Sequence, residues 1–217
     1  MNRLFTLLVF LFPFFAGCQN QTPSKKVQSK KQPMNTTTTP AKLDTATFGG
    51  GCFWCTEAMF AELKGVTSAV SGYSGGTVKN PSYKEVCAGT TGHAEVIQVT
   101  YDPTMITFAQ LMQVFFLTHD PTTLNRQGND IGTQYRSVVF YRNEEEKRIA
   151  QETIAEVATS GVYSDRIVTT LEPFEVFYKA EDYHQDYFSQ NSNQPYCSLV
   201  INPKLMKFRK TFESLLK

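Results

Sequence analysis

Three consecutive glycines, Gly49-Gly50-Gly51, run straight into Cys52-Phe53-Trp54-Cys55, and this junction constrains the chain more than any other stretch. Upstream, Thr45-Ala46-Thr47-Phe48 reads as a short strand. Downstream, Ala58, Met59, Ala61 and Leu63 carry the apolar spacing of a helix that stops at Gly65. Cys52 therefore falls at or just before a first helical turn, where unpaired backbone N–H groups and the positive dipole end favour a thiolate. Glycines there permit positive φ and close approach of a ligand to the backbone. The same local grammar also fits a plain strand–helix turn with an inert buried cysteine.

The N-terminus has a different character. Asn2-Arg3 precede an apolar run from Leu4 to Phe15, interrupted by Pro13 and too short to span a bilayer, which reads as a signal peptide over residues 1–17. Phe15-Ala16-Gly17-Cys18 resembles a bacterial lipoprotein processing site, with Cys18 as the lipid anchor; ordinary cleavage and a secreted or periplasmic soluble product is the alternative. Residues 18–41 form a flexible linker of Gln, Lys, Ser, Thr and Pro with almost no apolar side chain to offset the entropy of ordering. Its Lys25, Lys26, Lys30 and Lys31, without an acid, suit either an anionic lipid surface or a merely solvated spacer. Residues 42–217 suffice for one domain with a sizeable core. A formal net charge of +1 and the lack of a basic stripe exclude a nucleic-acid partner.

Within that stretch, Val66 to Tyr73, Ala94 to Tyr101 and Val138 to Tyr141 read as strands. Thr169 to Leu171 and Glu175 to Tyr178 look extended. Helices are expected over Phe108–Leu117, over Glu144–Ser160 with Ala150, Ile154, Val157 and Ala158 inward, over Glu181–Gln190 and over Lys204–Leu216. The order implies an α+β fold, a two-layer ferredoxin-like (split βαβ) sandwich with extensive loops. Period-two alternation puts Glu95 on the strand face shared by Ile97, Val99 and Tyr101, where desolvation would keep its carboxyl protonated near neutral pH. Fraying of the strand after Gly92-His93 would instead leave Glu95 in solvent.

Gly51-Cys52-Phe53-Trp54 resembles the signature of peptide-methionine sulfoxide reductase type A, the family specific for the S epimer. The likeness continues in order through Gly72-Tyr73-Ser74-Gly75-Gly76, Asn80-Pro81-Ser82-Tyr83, Gly92-His93-Ala94-Glu95, Gly128 to Ser137 and Ala180-Glu181-Asp182-Tyr183-His184-Gln185, spanning roughly residues 45–205. The resemblance implies the same ferredoxin-like arrangement and a thiol-dependent reduction of methionine S-sulfoxide, in oxidised proteins and as the free amino acid. It implies Cys52 as nucleophile and Glu95 as acid, with Tyr83 and Tyr135 donating to the sulfoxide oxygen. Asp130 supports them, and Phe53 and Trp54 wall the recess for the S-methyl group. It further implies no bound cofactor, a thioredoxin-like reductant as partner, and a chain acting as a monomer.

A sulfenic acid on Cys52 would condense with a second thiol, giving a disulfide for the external reductant. Family members with glycine in place of Cys55 rely on cysteines nearer the C-terminus. Here Cys55, three residues from Cys52 on one face of a helix start, is expected to be the resolving cysteine, with Cys197 the runner-up. The run Leu199-Val200-Ile201 suggests that Cys197 opens a strand, and Cys87 reads as structural. One Cys-x-x-Cys with no histidine at ligand spacing gives no metal site, and His184 receives no chemical role. A general thiol-disulfide oxidoreductase is the main competing function, since Cys-x-x-Cys at a helix start also serves dithiol exchange; a non-catalytic lipoprotein with a structural disulfide is the other.

Overall fold

In the computed structural model, residues 42–217 are described; the expected signal peptide, Cys18 and the expected linker to residue 41 lie outside the described residues. Chain order runs β1 (Asp44–Gly50), α1 (Phe53–Phe60), β2 (Val66–Ser74), α2 (Tyr83–Cys87), β3 (Ala94–Tyr101) and α3 (Phe108–Thr118). Then follow the small hairpin β4 (Arg126–Gln127) and β5 (Asp130–Ile131), β6 (Ser137–Tyr141), α4 (Glu144–Thr159), β7 (Thr170–Pro173) and β8 (Tyr178–Lys179). The chain closes with α5 (Tyr187–Gln190), a π-helical turn over Cys197–Ile201 and α6 (Asn202–Thr211).

Six strands form one sheet in the order β7-β6-β1-β3-β2-β8. β3 pairs antiparallel with both β1 and β2, and β1 pairs antiparallel with β6, so β1-α1-β2 and β3-α3-β6 are two interleaved split βαβ units. That is the ferredoxin-like core. β7 extends it in parallel beside β6, and β8 closes the other edge beside β2. Alternation along the strands sorts the side chains. Ala46 and Phe48 of β1 and Ile97, Val99 and Tyr101 of β3 enter the main core with Phe60, Leu111 and Phe115. On the opposite face Ala94, Val96, Val138 and Phe140 pack under Phe174 and Phe177 from the β7–β8 connection. Burial of such side chains contributes roughly 1.5–3 kcal/mol each, which fixes strand register firmly.

Local capping accounts for the helix starts. Thr107 with Gln110 and Ser82 with Glu85 form reciprocal capping boxes, and the Asn143 side chain accepts from the Glu146 N–H at 2.8 Å. The Ser82 box starts α2, a helix missing from the sequence expectation although Ser82-x-x-Glu85 is its signal. Other expectations are corrected. The stretch expected as one helix over Glu181–Gln190 is broken: Gln185 is extended and Asp186 is left-handed at φ 48°, separating a 3₁₀ turn at Asp182–His184 from α5. The last helix starts earlier and ends at Thr211. Only Tyr178 of the expected extended run 175–178 joins the sheet, and Ala158 of α4 is exposed while Thr153 is buried.

Candidate active site

The register explains how the site is assembled. Phe48 of β1 faces Ile97 of β3, so β1 runs out beside the start of β3 and hands the chain to α1 there. Gly51 makes the bend at φ 90°. A Cβ on it would meet Gln127 at 2.5 Å, and Gln127 is clamped to the Asp120 backbone through both its amide atoms. Cys52 becomes the N-cap of α1, and the Phe53 N–H donates to Glu95 Oε2 at 3.1 Å. The strand end thus brings a carboxyl group to the N-terminus of the helix that carries the cysteine.

Around this pair lies an open cavity of about 220 Å³ lined by Cys52, Phe53, Trp54, Tyr83, Glu95, Asp130, Tyr135 and Tyr196. Larger cavities exist, such as one of about 310 Å³ between the end of α3 and α6, but they hold no cysteine. Glu95 is only 2% exposed. Burial pushes its carboxyl well above the ordinary value, and a charge on Cys52 would push it further, against the Phe53 N–H. Burial likewise raises the hydroxyls of Tyr83 and Tyr135, which therefore remain donors. Phe53 stacks on Tyr83 with centroids 6.4 Å apart, and Trp54 lies flat on Tyr187 at 3.7 Å. Two aromatic rings thus wall a space into which two phenols and one neutral acid point.

The thiols depart from expectation. Burial, and after it the neighbouring Cys55, push the Cys52 thiol up rather than down. Cys55, one helical turn on, is lowered instead: the Cys52 thiol hydrogen-bonds it, and Lys204 adds a favourable charge against its burial. The pair thus loses its first proton more readily than a lone buried thiol. All four described cysteines are free. Cys197 is buried, feels a charge on Cys52, and lies in a π-helical turn rather than at a strand start. Cys87, expected to be structural, is exposed at the end of α2, within reach of the Tyr83 hydroxyl.

The family model for peptide methionine sulfoxide reductase matches residues 44–216. This chain belongs to that family. It is 55% identical over 175 residues to the peptide methionine sulfoxide reductase MsrA of Saccharolobus solfataricus, covering 81% of this chain and 98% of the relative. It is 52% identical over 174 residues to that of Polynucleobacter asymbioticus, covering 80% and 92%. Among solved structures, reduced Mxr1 from Saccharomyces cerevisiae aligns with a TM-score of 0.66 at 38% identity, over 73% of this chain and 91% of that one. Methionine sulfoxide reductase A of Corynebacterium diphtheriae aligns with a TM-score of 0.62 at 37% identity, over 71% and 77%.

In this peptide methionine sulfoxide reductase family member, sequence reasoning passed over two contributors to the cavity. Tyr196 donates to Asp130 Oδ2 at 2.7 Å and reaches Cys52; its one sequence signal is its place before Cys197. Glu181 was quoted only within a motif. Its carboxylate accepts from the Tyr83 N–H at 2.9 Å and from the Tyr73 hydroxyl at 2.9 Å, so it pins α2 to β2. The histidines also find structural employment. His93 bonds the Gly76 N–H and the Val78 carbonyl, while His119, pushed down to about 4 by burial, bonds the Phe115 carbonyl and Ser137. Among the described residues no group of three or more His, Cys, Asp or Glu side chains is placed to hold a metal ion.

Proposed function

We propose that the protein reduces methionine S-sulfoxide, in proteins and as the free amino acid, using Cys52 as nucleophile and Glu95 as proton donor. The observation that carries this reading is the neutral carboxyl of Glu95 held at the start of α1 beside Cys52, across a cavity walled by Phe53 and Trp54. Simple dithiol exchange needs no polarised S=O bond, so it leaves Tyr83 and Tyr135, which line the same cavity, without a use. Those two phenols polarise the S=O bond, and the aromatic walls receive the methyl group.

Once the cysteine pair has lost one proton, the remaining proton sits on Cys55 and the thiolate on Cys52. That thiolate attacks the sulfoxide sulfur while Glu95 protonates the oxygen. Oxygen passes to the Cys52 sulfur, methionine departs, and Cys52 is left as a sulfenic acid two electrons more oxidised than the thiol. The Cys55 thiol condenses with it, forming the disulfide and releasing water. A thioredoxin-like dithiol then returns both cysteines to thiols, becoming the disulfide itself. No bound cofactor is needed. The test is to supply the reduced protein with dithiothreitol and resolved methionine sulfoxide epimers: methionine is expected from the S epimer alone, and dithiol exchange without sulfoxide reduction would overturn the reading.

For location, we propose an exported, cell-envelope lipoprotein held by a lipid on Cys18, acting as a monomer. The short apolar run and the small residues before Cys18 support it.

A further inference from the structure

His184 is 1% exposed and lies behind the recess rather than on a helix surface. Its ring packs against Phe53, Tyr83 and Tyr183 with centroids 5.1, 4.4 and 4.2 Å away. The Trp54 indole N–H donates to its Nδ1 at 3.1 Å. Accepting there requires the neutral imidazole with its proton on Nε2. Nε2 has no hydrogen-bond partner; the nearest acidic atom, Glu181 Oε2, is 3.9 Å away and already accepts from Tyr73. A buried donor left unpaired costs roughly 1–3 kcal/mol. The ring keeps this orientation because turning it over would break the contact to Trp54.

We propose that His184 is the positioning residue of the recess, holding the Trp54 indole while neutral and releasing it when protonated. The proposal rests on the reading of Trp54 as a wall of the methyl recess. A proton added to His184 must go on Nδ1, which then confronts the indole N–H donor to donor. The protonated ring meanwhile gains an attraction to Glu181 through Nε2, so the two ring edges pull in opposite senses. Other groups facing the ring are the neutral phenols Tyr83 and Tyr183; Glu95, beyond Phe53, is held neutral by burial. Desolvation lowers the His184 value and Glu181 only partly offsets it. The neutral form, and with it the indole contact, therefore persists through neutral pH and is lost on acidification below the ordinary imidazole range.

Trp54 is the sole tryptophan of the chain, so the emission comes from this ring alone, and the His184 variants separate the contact with His184 from its other contacts. In the full chain, acidification is expected to quench that emission in one step, with KM for methionine S-sulfoxide rising over the same step. His184→Asn, whose amide oxygen takes the place of Nδ1 and does not titrate, should remove the step and keep KM near wild type. His184→Phe keeps a ring but no acceptor. It should show shifted emission at every pH and a KM raised about fivefold to tenfold, the worth of one buried hydrogen bond, with kcat changed less than about twofold. Wild-type emission without a step, or a step that survives in His184→Asn, overturns the proposal. An emission step with no change in KM upholds the hold on Trp54 and sinks the recess reading instead. Should His184→Phe fail to fold, wild type against His184→Asn decides the matter.

Discussion

At the scale of single residues, the site withholds solvent from a carboxyl group, Glu95, that solvent would ionise. Burial raises the Glu95 carboxyl well above its ordinary value, so in the proposed role its proton is held further towards neutral pH and is lost as pH rises through the elevated value. Glu95→Gln keeps an oxygen acceptor for the Phe53 N–H but has no transferable proton. It should slow reduction on the order of a hundredfold and erase the alkaline limb of the pH–rate profile, checked by single-turnover kinetics across pH. The proposed resolving cysteine is Cys55, which lies one helical turn from Cys52, with Cys197 the alternative. With thioredoxin as reductant, Cys55→Ser should stall after one equivalent of methionine while Cys197→Ser cycles. Peptide mapping of the oxidised protein that finds Cys52 joined to Cys197 would reverse the assignment.

At the scale of elements, α1 is the part on which geometry converges. Its start is set by Gly51, whose positive φ and contact with Gln127 leave no room for a side chain. Gly51→Ala should cost at least about 1–2 kcal/mol from the backbone conformation alone, read as a lower denaturation midpoint, and should depress activity by displacing Cys52. The far end of α1 carries Glu57, 3% exposed and pushed up to about 7 by burial, beside Ser71 and Asp186. The folded state therefore binds that proton more tightly than the unfolded chain, and stability falls as pH rises from the ordinary carboxylate range through about 7. Glu57→Gln should melt with wild type in acid and above it beyond pH 7, measured by thermal unfolding at a series of pH values. The π-helical turn at Cys197–Ile201 belongs to the same scale: Cys197 was expected to open a strand because Leu199-Val200-Ile201 are β-formers, but continuation into α6 overrides that propensity.

At the scale of the whole molecule, the described residues contain no helix long and apolar enough to cross a membrane, and the proposed attachment is the lipid on Cys18. Deleting residues 1–18 should release an active, soluble protein, and Cys18→Ser should remove the acyl mass from membrane extracts; intact-mass measurement showing no acyl chains on the wild type would refute the anchor. The two-layer fold was legible in the sequence because period two along Ala94–Tyr101 and helical spacing along Phe108–Thr118 are local signals backed by burial. The junction at Cys52 and the face of Glu95 were legible for the same reason, since glycine conformation and strand alternation act over a few residues. The rest depended on contacts between distant parts of the chain. The opposite shifts of the Cys52 and Cys55 thiols follow from their burial side by side. The grip of Glu181 on Tyr83 and of His184 on Trp54 joins residues 98 and 130 positions apart. A sequence carries the identity of such partners; only the folded sheet, by excluding water and setting the distance, decides which of them meet and which groups keep their protons.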